Sequence, residues 1–335
     1  MWILGISALV GNFVVIVWRL REKTTKSSVA VHSFLVFHLA ISDFQMGVYM
    51  LILASTDMYY GDEYFIHSDD WRSSAMCKLA GFISILSSEG SVFFITLISV
   101  DRFLAIVFPF SQLRLRIRSA RISVTILWAI AFIVGIVPVL YADPESDIYD
   151  LSDVCIGLPL ITRPTDYTTL QGSVGNPLSG RTFEKPVAQS TKPAWYFSIA
   201  LFLGVNCACF LTILICYVVI FINVRMSMKQ ANRTAGRDEE LKMAMKMGVI
   251  VGTDFLCWMP VIIMGILSQT GAVVVPLEMY TWTVVFILPI NSSLNPYLYT
   301  ISNYVSSRNK EKGGSSGKTS LTQQSTIRST ASVHR

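Results

Sequence analysis

Ser99-Val100-Asp101-Arg102-Phe103 lies near the end of an otherwise apolar stretch that runs from Lys78 to Val107. A hydrocarbon core about 30 Å thick is crossed by roughly 20 helical residues, and charge placed inside such a stretch is costly enough to mark function. Working outward, six more stretches meet or approach spanning length: Trp2 to Trp18, His32 to Ala54, Ser123 to Tyr141, Trp195 to Val224, Leu241 to Ser268 and Pro276 to Ile301. The composition agrees, with 52% hydrophobic and 15% charged residues against about a quarter charged in soluble chains. The chain reads as an all-α protein, a seven-transmembrane helix bundle embedded in a lipid bilayer.

Charge sets the expected orientation. The first, third and fifth connections, the start of the sixth span and the tail hold 20 of the 27 Lys and Arg, including Arg19, Arg21, Lys23, Lys26, Arg114, Arg116, Arg118 and Arg121. The alternate connections hold six, against 13 acids, so the charge is about +15 on one side and −7 on the other. The positive-inside bias makes the basic side cytoplasmic, which puts the N-terminus outside and the C-terminus in the cytoplasm. Membrane topology accounts for the net charge of +5 without nucleic acid as a partner.

The membrane-embedded unit is expected over residues 1–305, with a long second outer loop over 143–193 that is either a lid or an insertion. Residues 306–335 hold 12 Ser or Thr and almost nothing apolar, and are expected to be a disordered cytoplasmic tail open to phosphorylation. The first span has no basic segment ahead of it, unlike a signal peptide. A truncated first helix, and so a fragment of a longer protein, is the expectation. Cys77 and Cys155 face the oxidising side, where a disulfide is permitted, while Cys207, Cys209, Cys216 and Cys257 lie within spans as small apolar packing residues. Scattered histidines give no zinc spacing.

Asp43, Glu89, Asp101, Arg102 and Asp254 interrupt greasy helices, where ionisable groups face the bundle interior. Their depths differ. The 24 residues from Cys77 to Asp101 cover roughly 36 Å as a helix, so a cysteine at the outer surface delivers Arg102 to the inner one. In the sixth span Glu240 stands at the inner start, with Asp254 and then Trp258 on nearly the same face. Pro260 removes a backbone hydrogen bond there and predicts a kink. A bent helix with an acid opposite an arginine forms a two-state lever, closed while Arg102 pairs with Asp101 and Glu240. Pro296 predicts a similar weak point in the seventh span, with Tyr299 one turn away.

These strings together resemble one family. Gly11-Asn12, Leu39-Ala40-Ile41-Ser42-Asp43, Asp101-Arg102-Phe103, Trp128, Cys257-Trp258-Met259-Pro260 and Asn295-Pro296-Tyr297-Leu298-Tyr299 occur in order, each in its own span. The chain resembles a rhodopsin-like (class A) G-protein-coupled receptor over nearly its whole length. Cys209 stands where the family's span-five proline aligns, and Phe103 replaces the commoner tyrosine. Phe202-Leu203-Gly204-Val205-Asn206, Thr253-Asp254-Phe255 and Ser87-Ser88-Glu89-Gly90-Ser91-Val92 are similar to the leucine-rich-repeat-containing subgroup, and most to relaxin-family peptide receptors and their invertebrate relatives.

The resemblance implies a plasma-membrane, multi-pass receptor that is not an enzyme and passes peptide or protein hormone binding to a heterotrimeric G protein by outward movement of the sixth helix. Arg102 would meet the G protein, Tyr217 and Tyr299 would hold the open state, and Phe110 would fill a pocket on the transducer. Asn12, Asp43, Ser91, Asp254, Asn291, Ser292 and Asn295 resemble the class's polar core, with a sodium ion as the expected modulator. Cys77 with Cys155 matches the class disulfide. Arrestin and receptor kinases would act through the tail. In this subgroup a leucine-rich outer domain catches the hormone, and that domain is absent from this sequence. An ion-coupled transporter or channel built on the midplane acids is the rival reading, but repeat symmetry is missing. An intramembrane aspartyl protease would pair Asp43 with Asp254, yet Val251-Gly252-Thr253-Asp254 lacks the Gly-x-Gly-Asp string of such enzymes.

Overall fold

The computed structural model describes residues 1–22, 27–109, 111, 114–141, 154–156, 162–173, 182–193, 196–228, 235–269, 282–287 and 289–298. Helix α1 (Trp2–Arg21) is followed by α2 (Ser27–Tyr60), a 3-10 turn (Gly61–Glu63), α3 (Tyr64–Ser73), α4 (Ala75–Val107) and α5 (Ile117–Tyr141). The fifth span is composite: α6 (Tyr196–Ile199), a π-helical segment (Ala200–Asn206) and α7 (Cys207–Met228). Helix α8 (Ala235–Gln269) forms the sixth, and a π-helical segment (Thr283–Ile287) leads to α9 over residues 289–298 in the seventh. Six described helices are long and apolar enough to cross a bilayer. With the seventh segment they give the expected helix bundle.

Helices α2 and α8 outrun their apolar stretches because a helix ladder satisfies its own backbone and continues unbroken into water. Helix α4 is the axle, packed on α2, α5, α7 and α8. It starts at Ser74, whose hydroxyl accepts the Cys77 amide at 3.1 Å, a side-chain cap on an otherwise orphan donor. Helix α8 runs through Pro260 without interruption, so the weak point there is the bond the proline cannot give to Leu256, and no break in the helix accompanies it.

The contact of α2 with α4 is a reciprocal clasp. Ser42 donates to the Ser87 carbonyl at 2.8 Å, and Ser87 donates back to the Ser42 carbonyl at 2.7 Å. Gly90 permits this approach, since a Cβ there would stand 2.4 Å from the Ser42 hydroxyl. In a bilayer, where burying apolar area does not drive helices together, such small-residue contacts and interhelical bonds set the packing.

At the Cys77 end the short segment 154–156 is pinned to the bundle. Cys77 bonds to Cys155, closing 78 residues of chain, and the buried Tyr49 hydroxyl donates to the Val154 carbonyl at 2.7 Å. The loop expected as a lid or insertion contains an antiparallel hairpin, β1 (Thr162–Ser173) with β2 (Thr182–Pro193), paired from Thr162 with Pro193 to Ser173 with Thr182. These two strands pair with each other as a small sheet added to the helical bundle. The expected tail over 306–335 falls outside the described residues.

Candidate functional site

Two clusters of polar groups lie inside the bundle at different depths of α4. The deeper one, next to α2 and α9, centres on Asp43. One carboxylate oxygen accepts Ser91 Oγ at 3.2 Å and Ser292 Oγ at 3.0 Å, and the other accepts Asn295 Nδ2 at 2.7 Å. Asn12 ties α1 to the same place, donating to the carbonyls of Ala8 at 2.8 Å and Ser292 at 3.0 Å. Asp254 on α8 lies within electrostatic range of Asp43, and it is buried along with Asn291. Of the sequence-predicted set, Asn12, Ser91, Asp254, Ser292 and Asn295 thus meet around Asp43, and Asn291 is buried next to Ser292 along α9. Its unpaired oxygens are Oδ1 of Asn12, Asn291, Asn295 and Asp254. Buried oxygens without donors beside a carboxylate are the ligand type a hard cation takes.

The second cluster is at the other end of α4 from Cys77. Arg102 is fully buried, and its Nε donates to Asp101 Oδ2 at 3.0 Å while a terminal nitrogen pairs with the same oxygen. Tyr217 reaches in from α7 within range of Arg102 and Ser99. It lies against α8 where Gly248 leaves room, for a Cβ there would stand 3.3 Å from the Tyr217 ring. Trp258, also buried, packs on Phe210 of α7 with ring centroids 6.0 Å apart. The side chain of Glu240 falls outside the described residues, as do Phe110 and Tyr299. Their assigned parts in the lever rest on sequence.

Some partners were not legible in the sequence. Trp128 donates to His38 Nδ1 at 3.1 Å, joining α5 to α2, and Asn206 donates to Glu89 Oε1 at 3.1 Å, joining the fifth span to α4. Both histidine and glutamate stand out in apolar stretches, but the partner of each depends on helix rotation that hydropathy does not carry. At the surface Glu22 closes the α1 end, accepting Arg19 at 2.8 Å and Ser33 of α2 at 2.6 Å. Among the described residues no cluster of His, Cys, Asp and Glu is suited to a transition metal.

A bundle with a caged arginine at one end and a disulfide-pinned loop at the other defines a seven-helix receptor architecture. The family described as 7 transmembrane receptor (rhodopsin family) matches residues 11–175 and 179–299, and the chain belongs to it. It is a multi-pass protein of the plasma membrane. Similar proteins include the G-protein coupled receptor GRL101 of Lymnaea stagnalis, 38% identical over 301 residues, and relaxin receptor 2 of Homo sapiens, 31% identical over 304. The thyrotropin receptor of Felis catus is 29% identical over 301 residues. Each alignment covers 90% of this chain but only 24%, 36% and 34% of those relatives respectively. The expected subgroup is borne out, and the chain spans about a quarter to a third of the length of these relatives.

Proposed function

We propose that this chain is the signalling bundle of a peptide or protein hormone receptor, with its N-terminus and the Cys77–Cys155 end outside and the Arg102 end facing a heterotrimeric G protein in the cytoplasm. The observation that carries the reading is the buried Arg102, held by Asp101 beside a tyrosine that occupies the gap left by Gly248. The bundle acts by population shift: a hormone moves the closed and open states only by its differential affinity for them. In the open state α8 tilts outward, Glu240 leaves the arginine, and Tyr217 and Tyr299 turn toward the vacated space. Phe110 then meets the transducer. No step requires the protein to make or break a covalent bond, and it is not an enzyme.

The polar core around Asp43 fits a sodium ion. Asp43 would hold it with the unpaired oxygens of Asn12, Asn291, Asn295 or Asp254, and the ion would offset repulsion between two buried carboxyls. The serine-rich tail is the segment for receptor kinases and arrestin. The acidic outer loops favour a basic hormone surface.

The decisive experiment is a second-messenger panel on the full-length transcript with and without Arg102→Ala. The expected result is a hormone-dependent signal reduced by on the order of tenfold or more at equal surface expression, a loss of at least about 1.4 kcal/mol of coupling. A normal signal from the variant would sink the reading, and ion flux through the purified protein would favour a transporter.

A further inference from the structure

Glu89 is an acid that the proposed lever does not use. It sits on α4, 12 residues beyond Cys77 and so roughly 18 Å into the membrane, with no exposed surface. Asn206, equally buried, faces it from the last residue of the π-helical segment. A π turn carries one extra residue and rotates the side chains after it, and such turns recur at functional sites. Here the turn brings an amide to the carboxyl with Nδ2 donating to Oε1 at 3.1 Å.

The remaining atoms of this pair are complementary in an unusual way. Glu89 Oε2 and Asn206 Oδ1 are both buried and both without a donor. A carboxylate offers only acceptors, so nothing in an ionised Glu89 can satisfy the amide oxygen. Turning the amide over would not help, because it would set oxygen against oxygen. A single proton on Oε2 supplies the missing donor for Oδ1, and acid and amide then make two parallel hydrogen bonds around a closed ring.

Among the described residues, no charged group competes for Glu89. Cys209 is the titratable group facing Glu89 from α7, and its thiol is engaged with Thr96. On α8, Asp254 and Cys257 interact with Asp43 and with each other. On α2, Asp43 is bonded to Ser91, Ser292 and Asn295, and His38 to Trp128. The described charged groups of α5, Arg118 and Arg121, lie in its first turns, at the opposite end of the bundle from Cys77. A lone carboxylate at this depth is unfavourable, whereas a neutral acid with both oxygens bonded is not.

We propose that Glu89 and Asn206 form a proton-binding site, in which the neutral acid and the amide clasp α4 to the π turn of the fifth span. The ring stands about one turn before Cys209, the position where the family's span-five proline aligns, and it holds the register that lays Phe210 on Trp258 one turn further on. The proton comes from water as the bundle assembles and is shared by no other described group.

Two measurements on the purified, full-length receptor test this, and neither depends on which transducer it engages. The first is the unfolding temperature of Glu89→Gln, Glu89→Ala and Asn206→Leu. Glutamine rebuilds both bonds as an amide pair, so it should match the parent, while Ala and Leu should each lower the midpoint by about 4 °C or more and combine with less than additive effect. The second is the infrared difference between parent and Glu89→Gln at neutral pH, which should show loss of a protonated carboxylic acid carbonyl stretch. Loss of a carboxylate band instead, or a Gln variant as unstable as Ala, would overturn the proposal. So would stabilisation of the parent by sodium over choline that vanishes in Glu89→Gln, which would assign the two oxygens to a cation.

Discussion

Asp43 is held by three neutral donors from two other helices, whereas the bonds described for Arg102 reach an acid one residue away on its own helix. The first arrangement fastens α2, α4 and α9 together, and its loss strains the whole bundle. The second holds a buried charge near the end of α4 against the neighbouring acid of the same helix, and on the proposed reading it is the part that opens while the frame stays intact. On that reading, frame and switch occupy different depths of α4.

The largest effect should come from Asp43→Ala, which leaves three buried donors without an acceptor and should cost about 3 kcal/mol, read as a fall in the unfolding temperature of the purified receptor. If that variant is no less stable than Arg102→Ala, the distinction between the two clusters collapses. Next is Gly90→Ala, whose methyl must displace Ser42 and break the clasp of α2 on α4, for about 2 kcal/mol. Signalling in response to hormone should survive in the fraction that folds.

Glu240→Ala sharpens the other side of the comparison. It should raise ligand-free second messenger by roughly twofold to fivefold, in line with about 0.5–1 kcal/mol of lost restraint, and an unchanged basal level would remove Glu240 from the lever. The smallest effect belongs to Glu22. Partial burial disfavours its charge, but the bonds from Ser33 and Arg19 prevail and hold its carboxyl below the ordinary value of 4.5. Because the folded value is the lower one, its contribution is complete above about pH 4.5 and fades as the pH falls through the folded value. Hydrogen exchange at the α1–α2 junction should therefore speed up in Glu22→Gln at neutral pH, and that difference should close in acid.

The spans were readable because a bilayer imposes one strong rule, about twenty apolar residues per crossing. The Asp43 set was readable for a similar reason, since polar residues in such segments must turn inward and the motifs give their depth. The partners of His38 and Glu89 were not, because residues 90 and 117 positions apart meet only once helix rotation is known. For Glu89 the rotation comes from a π turn, and no hydrophobic period marks where it falls. The hairpin escaped too, as its strands are mixed polar segments whose hydropathy does not alternate.

The reciprocal bonds between Ser42 and Ser87 carry a mechanical corollary. Two helices on which each serine hydroxyl grips the other's backbone cannot slide or roll without losing both bonds at once in lipid, where no water stands by to replace them. The second and third membrane crossings should behave as a single stiff post, leaving the rocking to the segments that carry a proline or a π turn.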